Sequence, residues 1–226
     1  MSLIFRSLWM QKVIRSLTNV FPKEYSADYT RAGWCYVKKS ITTEWKGTWL
    51  LTSRRKLMFY DYNESRLEVL DLRKARCVGL KESDDSINNL QIEKGPTMLI
   101  DCPPFTCYFI MATPRETKIW STVIKDEAHA NGTMLRHQQL TKDNVPVFVD
   151  KTINFIYTNG SMSEGIYRKP GSTSNVQKLV SLLRKDAFSV QITRTEYNEH
   201  DVSSCLKKFM RELPEPLLGK LVRLMS

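Results

Sequence analysis

The spacing of apolar side chains divides the chain into three stretches. Over about residues 3–20, Leu8, Trp9, Val13, Leu17 and Val20 recur every three to four positions, which predicts a helix with one apolar face. Pro22 ends it. A lone helix cannot bury its own stripe. It packs on a following domain, lies on a membrane, or is the remnant of a preceding domain. Over about 28–131 the pattern changes to runs rich in aromatic and β-branched residues. "GWCYVKK", "WKGTWLLTS", "RKLMFYDY", "RLEVLDL", "TMLID" and "FTCYFIMAT" predict strands, with Leu67, Val69 and Asp71 sharing one face of the fourth. Turn residues stand at Asn88–Asn89 and Gly95–Pro96.

At Thr113 the helical period returns. "TPRE" reads as a capping box: Thr113 caps, Pro114 suits the first helical position and Glu116 reaches back. Trp120, Val123, Ile124 and Ala128 form its stripe, and Gly132 marks the stop. Many antiparallel strands followed by one amphipathic helix describe a small barrel plugged by a helix.

The third stretch, 138–226, is helical. In "NVPVFVDKTINFIYTNG" the predicted stripe is Val149, Ile153 and Ile156, widened by Phe148 and Phe155 and closed by Gly160. In "SNVQKLVSLLRKD" Val176, Leu179, Leu182 and Leu183 face inward, with Ser174 as the cap. In "DVSSCLKKFMRELPEP" Val202, Cys205, Leu206, Phe209 and Leu213 share one side, while Ser204, Lys207, Lys208 and Arg211 fall on the other; Pro214 and Pro216 stop it. Lys207 and Arg211 are four apart and stack on one face, a repulsion that an acidic partner would relieve.

Composition narrows the function classes. The 226 residues suit one large or two small domains. No apolar run approaches the ~20 residues of a membrane span. Five cysteines, odd in number and without a CxxC, argue against a disulfide framework or a zinc site and for reduced thiols in the cytoplasm. The net charge is +10, yet residues 140–226 hold 13 Lys/Arg against 9 Asp/Glu, so the excess is spread out. That favours an acidic protein partner or an anionic membrane surface over nucleic acid. No cofactor or metal is expected.

The strand-rich stretch with its closing helix, and Trp120 within that helix, resembles the pleckstrin-homology (PH) domain over about 100 residues. The resemblance implies phosphoinositide recognition by basic residues around the first hairpin, here Lys38, Lys39 and Lys46. The sequence departs where the second strand should supply an arginine, because Thr48 stands there. An ammonium lacks the planar fork with which a guanidinium grips phosphate.

A second resemblance rests on "EGIYRKPG", followed about 35 residues later by "LKKFMRELPEPLL", with "VPVFVDKTINFIYTNG" before both. These motifs resemble the RhoGAP family, activators of Rho-type GTPases. The resemblance implies that Arg168 is an arginine finger and that Lys207 and Arg211 meet the switch regions of a Rho-family GTPase in its GTP-bound state. Gly165 then permits the turn, Ile166 anchors it, Pro170 and Gly171 stiffen its exit, Glu164 holds the loop or is solvated, and Tyr167 is structural. A PH domain running into a RhoGAP domain resembles the ARAP group of dual Arf/Rho activators.

The expected architecture is multidomain. Residues 1–27 form an amphipathic helix and linker, a possible remnant of a preceding PH domain. Residues 28–131 form a PH-like antiparallel β-barrel with a C-terminal helix, and 138–226 the N-terminal part of an all-α RhoGAP domain. RhoGAP domains usually continue past "RELPEPLL" and use a later asparagine, so weak or absent activity is expected of this chain. The expected function is a GTPase activator that completes its partner's active site and is not itself an enzyme, cytoplasmic or peripheral at membranes. The alternative is a non-catalytic adaptor that binds a GTPase or a membrane.

Overall fold

The computed structural model describes residues 31–61, 65–82, 87, 90, 92–129 and 132–215. The N-terminal amphipathic stretch, Asn88–Asn89 and Pro216 lie outside the described residues. The chain divides into two compact units, Met1–Glu127 and Ala128–Ser226.

The first unit is built on seven antiparallel strands: β1 (Arg31–Lys38), β2 (Lys46–Ser53), β3 (Lys56–Asp61), β4 (Arg66–Asp71), β5 (Cys77–Lys81), β6 (Thr97–Cys102) and β7 (Phe105–Met111). Their order is β4-β3-β2-β1-β7-β6-β5. This is a PH-like half-barrel, followed by helix α1 (Pro114–His129). Alternation places Cys35, Val37, Leu50, Leu57, Phe59 and Leu70 in the core. Phe59 meets Phe109 edge to face at 5.6 Å. The Thr113 hydroxyl accepts from the Glu116 N–H, which starts α1, and buried Trp120, Ile124 and Ala128 line one side of that helix. The Arg55 side chain donates to the Glu127 carbonyl at 2.7 Å and so satisfies a carbonyl of its last turn.

Two features differ from expectation. β5 was not legible as a strand, because "CVGLK" has a central glycine and no run of aromatic or β-branched residues. In β4, Leu67, Val69 and Asp71 share one face as expected, but the more deeply buried face is the opposite one, Glu68 and Leu70. The pairings Leu57↔Leu70 and Phe59↔Glu68 fix this: they put Glu68 on the interior face, where a charge needs a partner.

The second unit contains α2 (Val147–Gly160), α3 (Thr173–Asp186) and α4 (Glu199–Arg211). α4 packs against both α2 and α3. Phe209 of α4 stacks on Phe148 of α2 with ring centroids 4.1 Å apart. Buried Gln139 organises the approach to α2: its carbonyl oxygen Oε1 accepts from the Ala187 N–H and its Nε2 donates to Asp186. Two predicted stripes need correction. In α2, Ile153 is exposed, and Phe148, Thr152, Phe155 and Ile156 are buried. In α3, Leu182 is exposed and Val180 takes its place inside. Its cap position is Ser172, not Ser174. The reason is common to both: a helix with apolar residues at successive positions has two readings of its axis, and only the neighbouring helix selects one.

The corrected faces are testable by chemical denaturation. Phe209→Ala should cost the helical unit about 3–5 kcal/mol, as a buried aromatic does. Leu182→Ala should stay within about 0.5 kcal/mol, as a surface change does. A large loss at Leu182 would restore the sequence-based stripe.

Candidate functional site

The stretch Ser161–Ser172 joins α2 to α3 and runs along α4. Gly165 sits at φ +72°, a conformation that side chains with a Cβ rarely adopt. Its carbonyl accepts the N–H groups of both Arg168 and Lys169 at 2.8 Å, which closes a tight corner. Ile166 packs against the buried cluster of the helical unit. Arg168 projects from the corner with its side chain 80% exposed, and its nearest carboxylate is Glu164 at 3.6 Å, itself exposed. An ion pair that loose and that wet contributes little.

The corner is held by a row of side chains on α4. Glu199 accepts a hydrogen bond from the Ser163 hydroxyl at 2.8 Å. The Ser203 hydroxyl donates to the Ile166 carbonyl at 2.6 Å. Lys207 Nζ donates to the Tyr167 carbonyl at 2.7 Å. Positions 199, 203 and 207 are successive i, i+4 neighbours on one helix face. The helix therefore holds the stretch N-terminal to Arg168 at three consecutive turns, twice by its backbone carbonyls and once through the Ser163 side chain.

The exit is fixed more tightly. The Gly171 N–H donates to Ser204 Oγ at 3.0 Å, and the Ser172 N–H donates to Asp201 Oδ1 at 2.6 Å. Asp201 is fully buried, and its other oxygen accepts from Asn175 Nδ2 and from the Asn198 N–H. Asn198 Oδ1 accepts from the Asp201 N–H in return, a reciprocal capping box at the start of α4. One carboxylate thus serves the first turns of both α3 and α4, where helix dipoles favour negative charge. A Cβ on Gly171 would lie 2.5 Å from Asp201 Cα and 2.7 Å from its nitrogen. Only glycine allows that approach.

Electrostatics supports the same arrangement. Its own backbone N–H and the Ser163 hydroxyl hold the Glu199 carboxyl below the usual carboxylate range. That contribution to stability is present above the ordinary carboxylate pKa and is lost as pH falls through the lowered value.

The sequence-predicted residues fare differently. Arg168, Lys207 and Arg211 come from one corner and one helix, and all three are exposed. Lys207 is also a clamp on the corner's backbone, which its placement on a polar helix face did not reveal. Ser204, read as solvent-facing, instead receives the Gly171 N–H. Lys208 is engaged with Glu212 at 2.6 Å. Tyr167 contributes its carbonyl, and its ring is exposed. Asp201, Ser203 and Glu199 were missed. The signal present was "NEHD", an Asn–Asp capping pair that marks a helix start.

In the β unit, Lys38 and Lys39 do not form the expected exposed basic cluster. Lys38 is buried, with Nζ 4.8 Å from the Trp45 ring centroid and 5.3 Å from that of Tyr108. Lys39 is bound by Asp61 at 2.7 Å and Glu68 at 2.5 Å. Lys46 begins β2, partly exposed. Among the described residues no group of three His, Cys, Asp or Glu side chains could hold a metal ion, and no helix is long and apolar enough to cross a membrane.

Residues 146–223 match the RhoGAP domain family. The sequence is similar to two curated mouse proteins of the ARAP group. Arf-GAP with Rho-GAP domain, ANK repeat and PH domain-containing protein 2 from Mus musculus is 26% identical over 200 residues, 86% of this chain and 11% of that protein. The group's protein 3 from Mus musculus is 38% identical over 98 residues, 43% of this chain and 6% of that protein. Unconventional myosin-IXa from Homo sapiens is 45% identical over 74 residues, 33% of this chain and 3% of that protein. The chain thus spans about a tenth or less of these relatives. Among solved structures, the PH domain of human pleckstrin homology domain-containing protein family A member 5 is 27% identical, over 44% of this chain and 77% of that one, at a TM-score of 0.33.

Gly171→Ala tests the fixed exit. Backbone atoms cannot move aside cheaply, so the helical unit should lose about 1–3 kcal/mol in denaturant titration. Unchanged stability would mean that the loop passes Asp201 at a greater distance.

Proposed function

We propose that this chain accelerates GTP hydrolysis on a small GTPase of the Rho family, with Arg168 inserted into the partner's nucleotide site and the PH-like unit as an accessory module. The observation that carries this reading is the exposed guanidinium on a corner whose backbone α4 holds on both sides. The RhoGAP match of residues 146–223 and the similarity to Arf-GAP with Rho-GAP domain proteins support it.

The chemistry follows from charge. In phosphoryl transfer, negative charge spreads over the transferred group and the leaving oxygen, and a GTPase working alone stabilises it incompletely. A guanidinium supplied in trans stabilises it, worth roughly 10³–10⁵ in rate. Arginine suits the role because its planar fork donates several hydrogen bonds at once, while lysine offers a point charge. The chain completes a partner's active site and hydrolyses nothing by itself.

Lys207 and Arg211 extend the same basic surface along α4. Arg211 is a docking charge for the acidic switch regions of the GTP-bound partner. Lys207 has two roles, docking and positioning, because its ammonium already holds the carbonyl next to Arg168. A lysine ammonium has three donors, so one bond to Tyr167 leaves two.

Single-turnover GTP hydrolysis by a Rho-family GTPase at saturating chain tests the reading. Arg168→Ala should remove the stimulation, whatever its size, while binding measured by titration stays within a few fold, because the interaction is strongest in the transition state. Arg168→Lys should fail to restore it. Equal turnover with wild type and Arg168→Ala would end the proposal.

A further inference from the structure

The first four strands of the β unit carry apolar residues on both faces. A sheet with one wet face alternates apolar and polar residues, whereas a strand covered on both sides reads as an unbroken apolar run. "WLL" in β2 and "LMFY" in β3 are such runs. Leu50, Leu57, Phe59 and Leu70 point into the core, so Leu51 and Met58 point the other way. The registers align them in a row across four strands: Ala32↔Leu51, Leu51↔Met58 and Met58↔Val69. A second row beside it holds Trp34↔Trp49 on β1–β2 and Tyr60↔Leu67 on β3–β4. The two indoles meet edge to face at 5.8 Å. α1 lies on the opposite face: a Cβ on Gly33, on the core side of β1, would lie 3.1 Å from the Trp120 ring. Leu51 is 2% and Met58 0% exposed, as buried as the core, while Trp34 and Val69 on the outer two of these strands are 42% exposed. Among the described residues, the partly buried apolar side chains packed on Leu51 and Met58 are Ala32, Trp49 and Leu67, all on this same face.

We propose that the apolar stripe of residues 3–20 is the occupant of this face: Leu8, Trp9, Val13, Leu17 and Val20 lie against the two rows of β1–β4 and close the β unit from outside. Entry point, size and reach favour it over other occupants. A lone helix of this length is marginal in water and needs an apolar surface to lie on. Four strands about 4.8 Å apart make a row of about 14 Å. Trp9, Val13 and Leu17, each four positions apart, cover about 12 Å of helix axis at about 1.5 Å per residue. Residues 21–30 lead into Arg31, the first residue of β1, and Ala32 and Trp34 stand in the first half of that strand. A linker of that length reaches about 30 Å when extended, so every point of the face lies within range. The tether also sets an effective concentration of about a millimolar, ahead of a second copy of the chain or a lipid surface. This inference is independent of Arg168 and of the proposed function.

All five tryptophans fall in the Met1–Glu127 unit, so a thermal melt followed by tryptophan fluorescence reports on that unit. In the full chain, Val13→Asp/Leu17→Asp and Val69→Asp should each lower its midpoint by several degrees. Together they should lower it by clearly less than the sum, because both break one contact. Leu80→Asp, on β5 and outside the two rows, is the control, and its effect should add fully to that of Val13→Asp/Leu17→Asp. Additive loss at Val69, or no loss from Val13→Asp/Leu17→Asp, overturns the proposal. Rival occupants have their own readouts. A concentration-dependent dimer in light scattering that Val69→Asp dissolves would put a second copy on the face. Sedimentation with phosphatidylserine vesicles that is lost in Val13→Asp/Leu17→Asp and kept in Val69→Asp would give the stripe to a membrane. Either result overturns the proposal. Should the charged variants fail to fold, Val13→Ala/Leu17→Ala and Val69→Ala are judged by the same non-additivity.

Discussion

Everything that presents Arg168 depends on the contact between the Gly171 backbone and the first turn of α4. A glycine lies against Asp201 at a distance no other residue tolerates. That approach lets the buried carboxylate accept the Ser172 N–H at 2.6 Å. A buried carboxylate without donors is expensive. This one has three on its oxygens, from Ser172, Asn175 and Asn198. It ties together the start of α3, the start of α4 and the end of the loop. With the exit fixed there and the corner closed at Gly165, the intervening residues have few conformations left. The Arg168 side chain is exposed, while its backbone N–H is tied to the Gly165 carbonyl.

This division of mobility matters energetically. A finger that must be ordered on arrival loses conformational entropy, on the order of 1–2 kcal/mol per backbone residue. Here that cost is met during folding, by the packing of α4 against α2 and α3 and by the row Glu199, Ser203, Lys207. Under the proposed function, only the side-chain rotamers of Arg168 would remain to be fixed on binding. The loose pair with Glu164 at 3.6 Å leaves them available. Lys207 belongs to both sides of this account. Its bond to the Tyr167 carbonyl reduces the repulsion from Arg211 that their i, i+4 spacing predicts, because a carbonyl dipole lies against the ammonium.

Much of this was legible in the sequence, and the failures share a cause. Six of the seven strands, the helix after "TPRE" and the three later helices follow from local periodicity. Local periodicity reports that a face exists, and not which neighbour covers it. Thus Leu67 and Val69 do alternate with Glu68 and Leu70, but pairing with Leu57 and Phe59 turns the other set inward. Ile153 and Leu182 satisfy a helical stripe and are exposed, because α4 crosses the adjacent rows. At the candidate site, the cations were visible as charges on a polar face or in a motif. The groups that hold the corner were not visible, because all but Glu199 bind a backbone atom. A carbonyl or an N–H carries no residue identity, so nothing in "SSCLK" says that Ser203 and Ser204 reach a loop more than thirty residues upstream.

The same limit explains why lysines of similar appearance have opposite situations in the two units. Lys38 and Lys39 sit beside a turn between polar residues, as an anion-binding pair would. What decides their availability lies on other strands: Tyr108 on β7, Asp61 on β3 and Glu68 on β4. Lys207 has a carbonyl for a partner, which orients the ammonium without neutralising its charge. A carboxylate partner cancels the field that an anion would follow, whereas a carbonyl partner keeps most of it. The helical unit therefore displays its positive charge around Arg168, while the β unit spends that of Lys39 on its own interior. The identity of the partner atom, carboxylate or carbonyl, separates a cation whose field still reaches solvent from one that completes a fold.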